Sequence, residues 1–249
     1  MEQKTALTDA DYIWYACYGS NINRERFMRY IVRCGDTTPP VADRPFVFPH
    51  SIYFAKFTSL WNGGKGFLDD TQPGKAYGRI YKITRSQFED VKRMEGSDYR
   101  KLLELGTVSG LPVYSFTDRQ RNFPDKIPSL SYFQTILDGL YDCYEGIVEK
   151  EALARYLVGK ALPGHAFAVV RAIREHPHSM TNAEIRDRTG LSLEEVTGAV
   201  AWLVQEQLIR QHRRSILAGH SLTDAEALFF TNQQEDVQIW LKVMLEAMT

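Results

Sequence analysis

Residues 13–18, Ile-Trp-Tyr-Ala-Cys-Tyr, make an uninterrupted apolar and aromatic run that stops at Gly19-Ser20-Asn21. The run is too short to cross a membrane and too rich in strand-forming aromatics for a good helix. It predicts a buried central strand. Past the turn, Asn21 or Asn23 can cap a helix in which Phe27, Tyr30 and Ile31 recur at helical spacing. Strand, glycine turn and helix in that order leave free backbone N–H groups at the helix start, which is the geometry of an anion site. Gly-Ser-Asn is also ordinary turn chemistry, and spacing alone leaves both readings open.

At 249 residues the chain can bury one large core or two modest ones. Thirty Lys and Arg against 31 Asp and Glu give a net charge of −1, so no overall charge steers the chain toward nucleic acid or anionic lipid. Neither a charged-then-apolar N-terminal signal nor a long apolar stretch is present, and a soluble, cytoplasmic protein with no membrane partner is expected. Cys17, Cys34 and Cys143 are odd in number and far apart. They suggest a reducing compartment, with neither a disulfide framework nor a zinc site.

Two halves differ in texture. From Tyr12 to about Phe116 the chain is strand-rich, with runs at Ile52–Ala55, Ala76–Ile83, Leu102–Val108 and Val113–Thr117. Gly63-Gly64-Lys65-Gly66 and Pro73-Gly74 read as turns between them. A helix from Ser131 carries Phe133, Ile136, Leu137, Leu140 and Tyr144 on one face, and a shorter one covers Lys150–Val158. This half is α+β. After Gly159-Lys-Ala-Leu-Pro163-Gly164 the pattern turns helical, with capping boxes at Thr181–Glu184 and Ser192–Glu195 and Gly190 closing the first helix. Arg210–Ser215 lies between the apolar pieces Leu208-Ile209 and Ile216-Leu217, as the wing of a winged helix would. A last amphipathic helix is expected from about Glu235 to Met248. The expected domains are residues 1–163 and 164–249.

Glu95 is the candidate catalytic carboxylate. Thr84-Arg-Ser-Gln87 is a capping box, and the helix it opens places Phe88, Val91 and Glu95 on one stripe while Glu89, Asp90, Lys92 and Arg93 take the other faces. An acid in line with core side chains is unusual. Gly96 fits the C′ position, which puts Glu95 at the negative end of the helix dipole. Burial and dipole both raise its pKa toward the range useful for proton transfer at neutral pH. The other reading is a glutamate that frays outward at a helix end.

Other nucleophiles and ligands carry less. Ser20 does not lie in a Gly-x-Ser-x-Gly elbow, which argues against a serine hydrolase. Cys17 could pair with one of six histidines, but it lies inside the apolar run and reads as core. His176-Pro-His178 lacks carboxylate or cysteine neighbours and reads as a solvated turn rather than a metal site.

The Tyr18-Gly19-Ser20-Asn21 loop at the end of the first strand, with Glu95-Gly96 closing a later helix, resembles the γ-glutamylcyclotransferase-like superfamily, including the AIG2-like proteins. Ile52–Ala55, Trp61–Gly64, Gly78–Tyr81, Gln87-Phe88, Pro128-Ser129, Tyr132 and Gly139 follow in the family's order, so the resemblance covers about residues 12 to 145. It implies a small mixed β-barrel flanked by helices, with loop and glutamate facing each other across one cavity. It also implies a transferase- or lyase-type reaction in which the α-amine of a γ-glutamyl substrate attacks its own γ-carbonyl, releasing an amine and 5-oxoproline. Carried over by position, Glu95 takes the proton from the α-ammonium group and returns it to the leaving amine. Tyr18, Gly19, Ser20, Asn21 and Ile22 become substrate-binding positions, the amides of 19–22 holding substrate oxygens. Ring closure of this kind needs no metal or organic cofactor.

One departure concerns the tyrosine that family members often carry several residues beyond the glutamate. Here the nearest is Tyr99, four residues on and followed by Arg100-Lys101. It is taken as a substrate contact, the other reading being that it leads into the next strand. Superfamily members also act on modified antibiotics or protein-derived isopeptides, and some have no demonstrated activity, so the substrate does not transfer. The alternative class is a binding or regulatory protein that senses a small amino-acid-like ligand in the same cavity.

The C-terminal part resembles a winged helix, a fold that does not fix function. Residues 166–249 hold eight Lys and Arg against eleven Asp and Glu, and the would-be recognition helix begins Ser192-Leu-Glu-Glu-Val-Thr, with no cation for phosphates. Only Arg210, Arg213 and Arg214 at the wing are suitably basic. A homodimer contact or a protein partner is therefore expected of residues 164–249, rather than nucleic acid.

Overall fold

The structure is a computed structural model and describes residues 11–119, 121–162, 164–176, 179–206, 208–212 and 219–222. The apolar run becomes β1 (Tyr12–Cys17), buried along nearly its whole length. A 3-10 turn at Ser20–Ile22 leads into α1 (Arg24–Ile31), and Asn23 is its cap, its Oδ1 accepting from the Arg26 N–H at 3.0 Å. β2 (Ala42–Phe48), β3 (Ser51–Thr58), β4 (Gly63–Asp69) and β5 (Ala76–Thr84) follow, then α2 (Arg85–Glu95), β6 (Lys101–Val108), β7 (Leu111–Thr117), α3 (Leu130–Cys143) and α4 (Lys150–Ala161).

Five strands form one sheet in the order β2-β5-β1-β7-β6, with β1 at its centre, antiparallel to β5 and parallel to β7. A central strand flanked on both sides and covered on both faces has to be apolar throughout, which explains the run. Aromatic rings fill the core beside it: Phe27 stacks on Tyr81 with centroids 4.2 Å apart, and Phe88 on Phe116 at 5.0 Å. Each such buried ring contributes roughly 2–3 kcal/mol of hydrophobic stabilisation.

The expected barrel does not close. β3 and β4 join no strand of that sheet, pairing with each other and, through the bridge Ala55–Asp125, with the later chain, and where β4 passes β7 the backbone ladder is replaced by one side chain. The Thr117 hydroxyl donates to the Leu68 carbonyl at 2.8 Å and accepts from the Leu68 N–H at 2.9 Å. The outer strands β2 and β6 are largely exposed, and β2 carries Pro45, as suits an edge. Among the described residues there are one open five-stranded mixed sheet, two separate two-stranded ribbons and seven α-helices.

Gly63-Gly64-Lys65-Gly66 is not a turn but the first half of β4. A Cβ on Gly63 would stand 2.3 Å from the Ser129 nitrogen, and one on Gly64 2.1 Å from the Lys126 oxygen. These glycines mark a close approach of two backbones inside a strand.

The chain divides into two compact units at Leu153/Ala154. In the second, α5 (Ala166–Arg174), α6 (Asn182–Thr189) and α7 (Leu193–Gln205) precede a hairpin of β8 (Ile209–His212) and β9 (Gly219–Leu222). Thr181 and Ser192 both complete capping boxes, and Gly190 ends α6 in the left-handed conformation at φ 73°. The second hairpin strand is thus Gly219–Leu222. The expected Ile216-Leu217 strand, Arg213, Arg214, Pro177-His178 and the helix expected over 235–248 lie outside the described residues. No helix among the described residues is long and apolar enough to cross a membrane.

Candidate active site

The two halves of the candidate site, Asn21 and Glu95, lie 74 residues apart in the chain. Thr84 starts α2 with a complete capping box: its hydroxyl accepts from the Gln87 N–H, and the Gln87 side chain accepts from the Thr84 N–H. Gln87, Phe88 and Val91 anchor the helix in the core, so the same face delivers Glu95 at its last turn. Gly96 then leaves with φ 82° and ψ −177°, a conformation open essentially to glycine alone.

Glu95 does not fray outward. Its Oε1 accepts hydrogen bonds from Asn21 Nδ2 at 2.9 Å and from the Tyr15 hydroxyl at 3.2 Å. Asn21 Nδ2 also lies 3.3 Å from the Tyr15 oxygen, which closes a three-membered network. As a whole residue Glu95 is half-buried, but its carboxylate end is enclosed. Burial lifts its pKa from 4.5 to about 6, against the Tyr15 and Asn21 hydrogen bonds and the positive charges of Lys65 and Arg26, all of which pull it down.

The carboxylate faces a cavity of about 370 Å³, open solvent at its mouth included. Tyr15, Cys17, Tyr18, Gly19, Ser20 and Asn21 line one side, Ser115 and Phe116 the floor of β7, and Tyr30, Gly66, Tyr99 and Tyr132 the remainder. The wall of phenols is held by backbone contacts. Tyr132 accepts from the Gly66 N–H at 3.1 Å, and the Tyr99 hydroxyl donates to the Gly66 carbonyl at 2.9 Å. Burial pushes the Tyr132 phenol well above its ordinary pKa, although the Gly66 and Ser20 amides beside its oxygen pull the other way.

Of the residues singled out from sequence, Glu95, Tyr18, Gly19, Ser20, Asn21 and Tyr99 all line this cavity. Ile22 does not: its side chain is fully buried and its N–H closes the turn on the Gly19 carbonyl at 3.0 Å. The Asn23 N–H is likewise used, on the Ser20 carbonyl. Among residues 19–22, the Gly19 and Asn21 amides are the ones without an acceptor among the described residues, so the loop presents fewer free N–H groups than its sequence suggests. Tyr18 shows the cavity its ring, its hydroxyl being tied to the Phe116 carbonyl at 2.6 Å.

Sequence reasoning missed Tyr15, Tyr30, Gly66, Ser115, Phe116 and Tyr132 as cavity residues. Tyr15 was hidden inside an apolar run, but period-two alternation along β1 puts it on the same face as Cys17, which also lines the cavity. Cys17 itself is no nucleophile here. Its Sγ points at the Arg79 carbonyl at 3.3 Å, and burial pushes the thiol well above its ordinary pKa. Among the described residues no group of three or more His, Cys, Asp or Glu is placed to hold a metal ion.

An open α+β sheet with an enclosed carboxylate facing a glycine loop is the class of protein that fold and site define. No protein-family model matches the chain. Histone deacetylase 5 of Arabidopsis thaliana is 29% identical over 124 residues, 43% of this chain and 18% of that protein, so the chain spans less than a fifth of the length of this curated relative. Among solved structures, a gamma-glutamyl cyclotransferase is similar over 57% of this chain and 86% of its own, at 18% identity and a TM-score of 0.46. An uncharacterized protein from Homo sapiens is similar over the same shares, at 20% identity and a TM-score of 0.45.

Proposed function

We propose that the chain is a cytoplasmic γ-glutamylcyclotransferase-like enzyme that releases 5-oxoproline and an amine from a γ-glutamyl amide. The observation that carries this reading is the enclosed Glu95 carboxylate, with a pKa near 6, facing the Gly19-Ser20-Asn21 loop across one cavity. A carboxyl whose midpoint lies that close below neutral pH is mostly ionised there yet holds a proton better than an ordinary glutamate, which suits a reaction that both removes and returns a proton.

In this reading Glu95 takes a proton from the substrate's α-ammonium group. The freed amine attacks the γ-carbonyl, and the Gly19 and Asn21 amides face the oxygen on which charge develops. The protonated Glu95 then gives its proton to the departing nitrogen as the γ C–N bond breaks and the carbonyl re-forms, and the second proton still on the ring nitrogen passes by way of Glu95 to the released amine, leaving a neutral lactam N–H and an ammonium product. The five-membered ring forms within one molecule, so positioning and proton transfer supply the chemistry, and no cofactor takes part. Tyr18, Tyr99 and Tyr132 contribute ring surface, and Ile22 supports the loop from the core.

Residues 1–163 would form this catalytic domain. Residues 164–249, with three helices and a hairpin, fit a winged-helix-like module whose excess of acids favours a protein partner or a second copy over nucleic acid. Incubating the purified chain with a panel of γ-glutamyl amines and dipeptides and assaying 5-oxoproline tests the enzyme. Ligand binding by calorimetry with no turnover of any compound would instead favour a sensor.

A further inference from the structure

The side chain of Asn21 turns its donor end toward Glu95 and Tyr15. Nδ2 sits on Glu95 Oε1 and on the Tyr15 oxygen, while Oδ1 is buried and has no hydrogen-bond partner. The amide cannot be read the other way round, because a carboxylate oxygen only accepts and a flipped amide would set Oδ1 against it. Leaving a buried carbonyl unpaired is costly, and here it accompanies a donor kept on Glu95. The donor end of this side chain is thus committed to Glu95 and Tyr15.

Oε1 thus carries two donors, and no hydrogen bond to Oε2 is formed among the described residues. We infer that Asn21 and Tyr15 are positioning residues that lock Oε1 of Glu95, so that Oε2 is the atom that takes up and delivers the proton. This inference rests on the proton-transfer role proposed for Glu95. It reassigns Asn21: its backbone faces the substrate, and its side chain orients the base.

The clamp also acts on acidity. A donor on Oε1 stabilises the ionised form, and so do the cations nearest the site, Arg26 from α1 and Lys65 from β4. The other titratable groups facing Glu95 are Cys17 of β1 with Tyr18 beyond it, Tyr30 of α1, Tyr99 before β6 and Tyr132 of α3. Burial raises every one of them, so they stay neutral while Glu95 titrates.

The test is a carboxyl-carbon NMR titration of Glu95 in the ligand-free full-length protein, for the wild type, Asn21→Leu and Tyr15→Phe. Tyr15→Phe keeps the ring among Phe27, Phe88 and Phe116, and so guards against a folding defect in Asn21→Leu. Each variant should raise the Glu95 midpoint by roughly one pH unit, the worth of one hydrogen bond to a charged group. With a turned-over γ-glutamyl compound, the acid limb of the rate should move up by the same amount while KM changes less than about two-fold. Midpoints that stay put in both variants overturn the clamp, as does a ten-fold rise in KM for Asn21→Leu with an unmoved limb. A shifted midpoint in a protein that releases no 5-oxoproline from any compound upholds the clamp and removes the reaction instead.

Discussion

The hydroxyl of Tyr132 stands 2.8 Å from the place a Cβ on Gly19 would occupy. A strand-to-helix loop and a helix more than a hundred residues later thereby meet at the cavity wall, and neither can retreat freely, because the same hydroxyl is held by the Gly66 N–H. The backbone of Gly19 has φ −101°, so its need for glycine comes from this approach rather than from its conformation. Gly19→Ala should destabilise the protein by about 1–3 kcal/mol through overpacking and displace the loop, measured by urea unfolding.

Tyr132→Phe should cost about 1–3 kcal/mol for a different reason, since the buried Gly66 N–H loses its acceptor. Combined with Gly19→Ala, it also removes the atom the new methyl meets. The double variant should therefore be less destabilised than the two single effects added together, as a double-mutant cycle would read out.

At the other wall the Thr84 cap fixes where α2 begins and thus where Glu95 ends up. Thr84→Ala removes the acceptor of the Gln87 N–H and should cost about 1 kcal/mol in urea unfolding. Because Phe88 and Val91 still hold the helix, the Glu95 midpoint should move by less than half a unit, about half the shift expected from the clamp variants.

Much of this was legible because strong local patterns agreed with the fold. The run at 13–18 could only be a covered strand, and Thr84 with Gln87 announced the helix on whose apolar stripe Glu95 falls. What stayed hidden depended on distant backbone. Gly63 and Gly64 look like a turn until residues 126–129 are seen pressed against them. Edge strand β2, Ala42–Phe48, has no clear apolar alternation and includes a proline, so no strand pattern marks it. Barrel closure failed at one residue, Thr117, whose hydroxyl replaces a ladder no pattern encodes. Tyr18, Gly19, Ser20 and Asn21 of the loop line the cavity, but no local pattern shows that Ile22 faces the core or that the Asn21 side chain bonds Glu95.

The raised pKa of Glu95 makes stability depend on pH in a defined direction. A carboxyl lifted from 4.5 unfolded to about 6 folded binds its proton more tightly in the folded state. That contribution is fully present below about pH 4.5 and is lost as pH rises through 6. Glu95→Gln cannot titrate, so the stability of the wild type relative to this variant should fall by about 2 kcal/mol between pH 4 and pH 7. Denaturant unfolding at both pH values checks it, and a rise across that interval would reverse the sign.

The central claim is that Glu95 carries the proton in a ring closure that yields 5-oxoproline. Its most direct measurement is 5-oxoproline release by the wild type and by Glu95→Gln, with circular dichroism and unfolding curves showing that both are folded. The account predicts release by the wild type and a loss of at least about a thousand-fold in the variant, which keeps the shape of the site without its base. Equal rates in two folded proteins would contradict it.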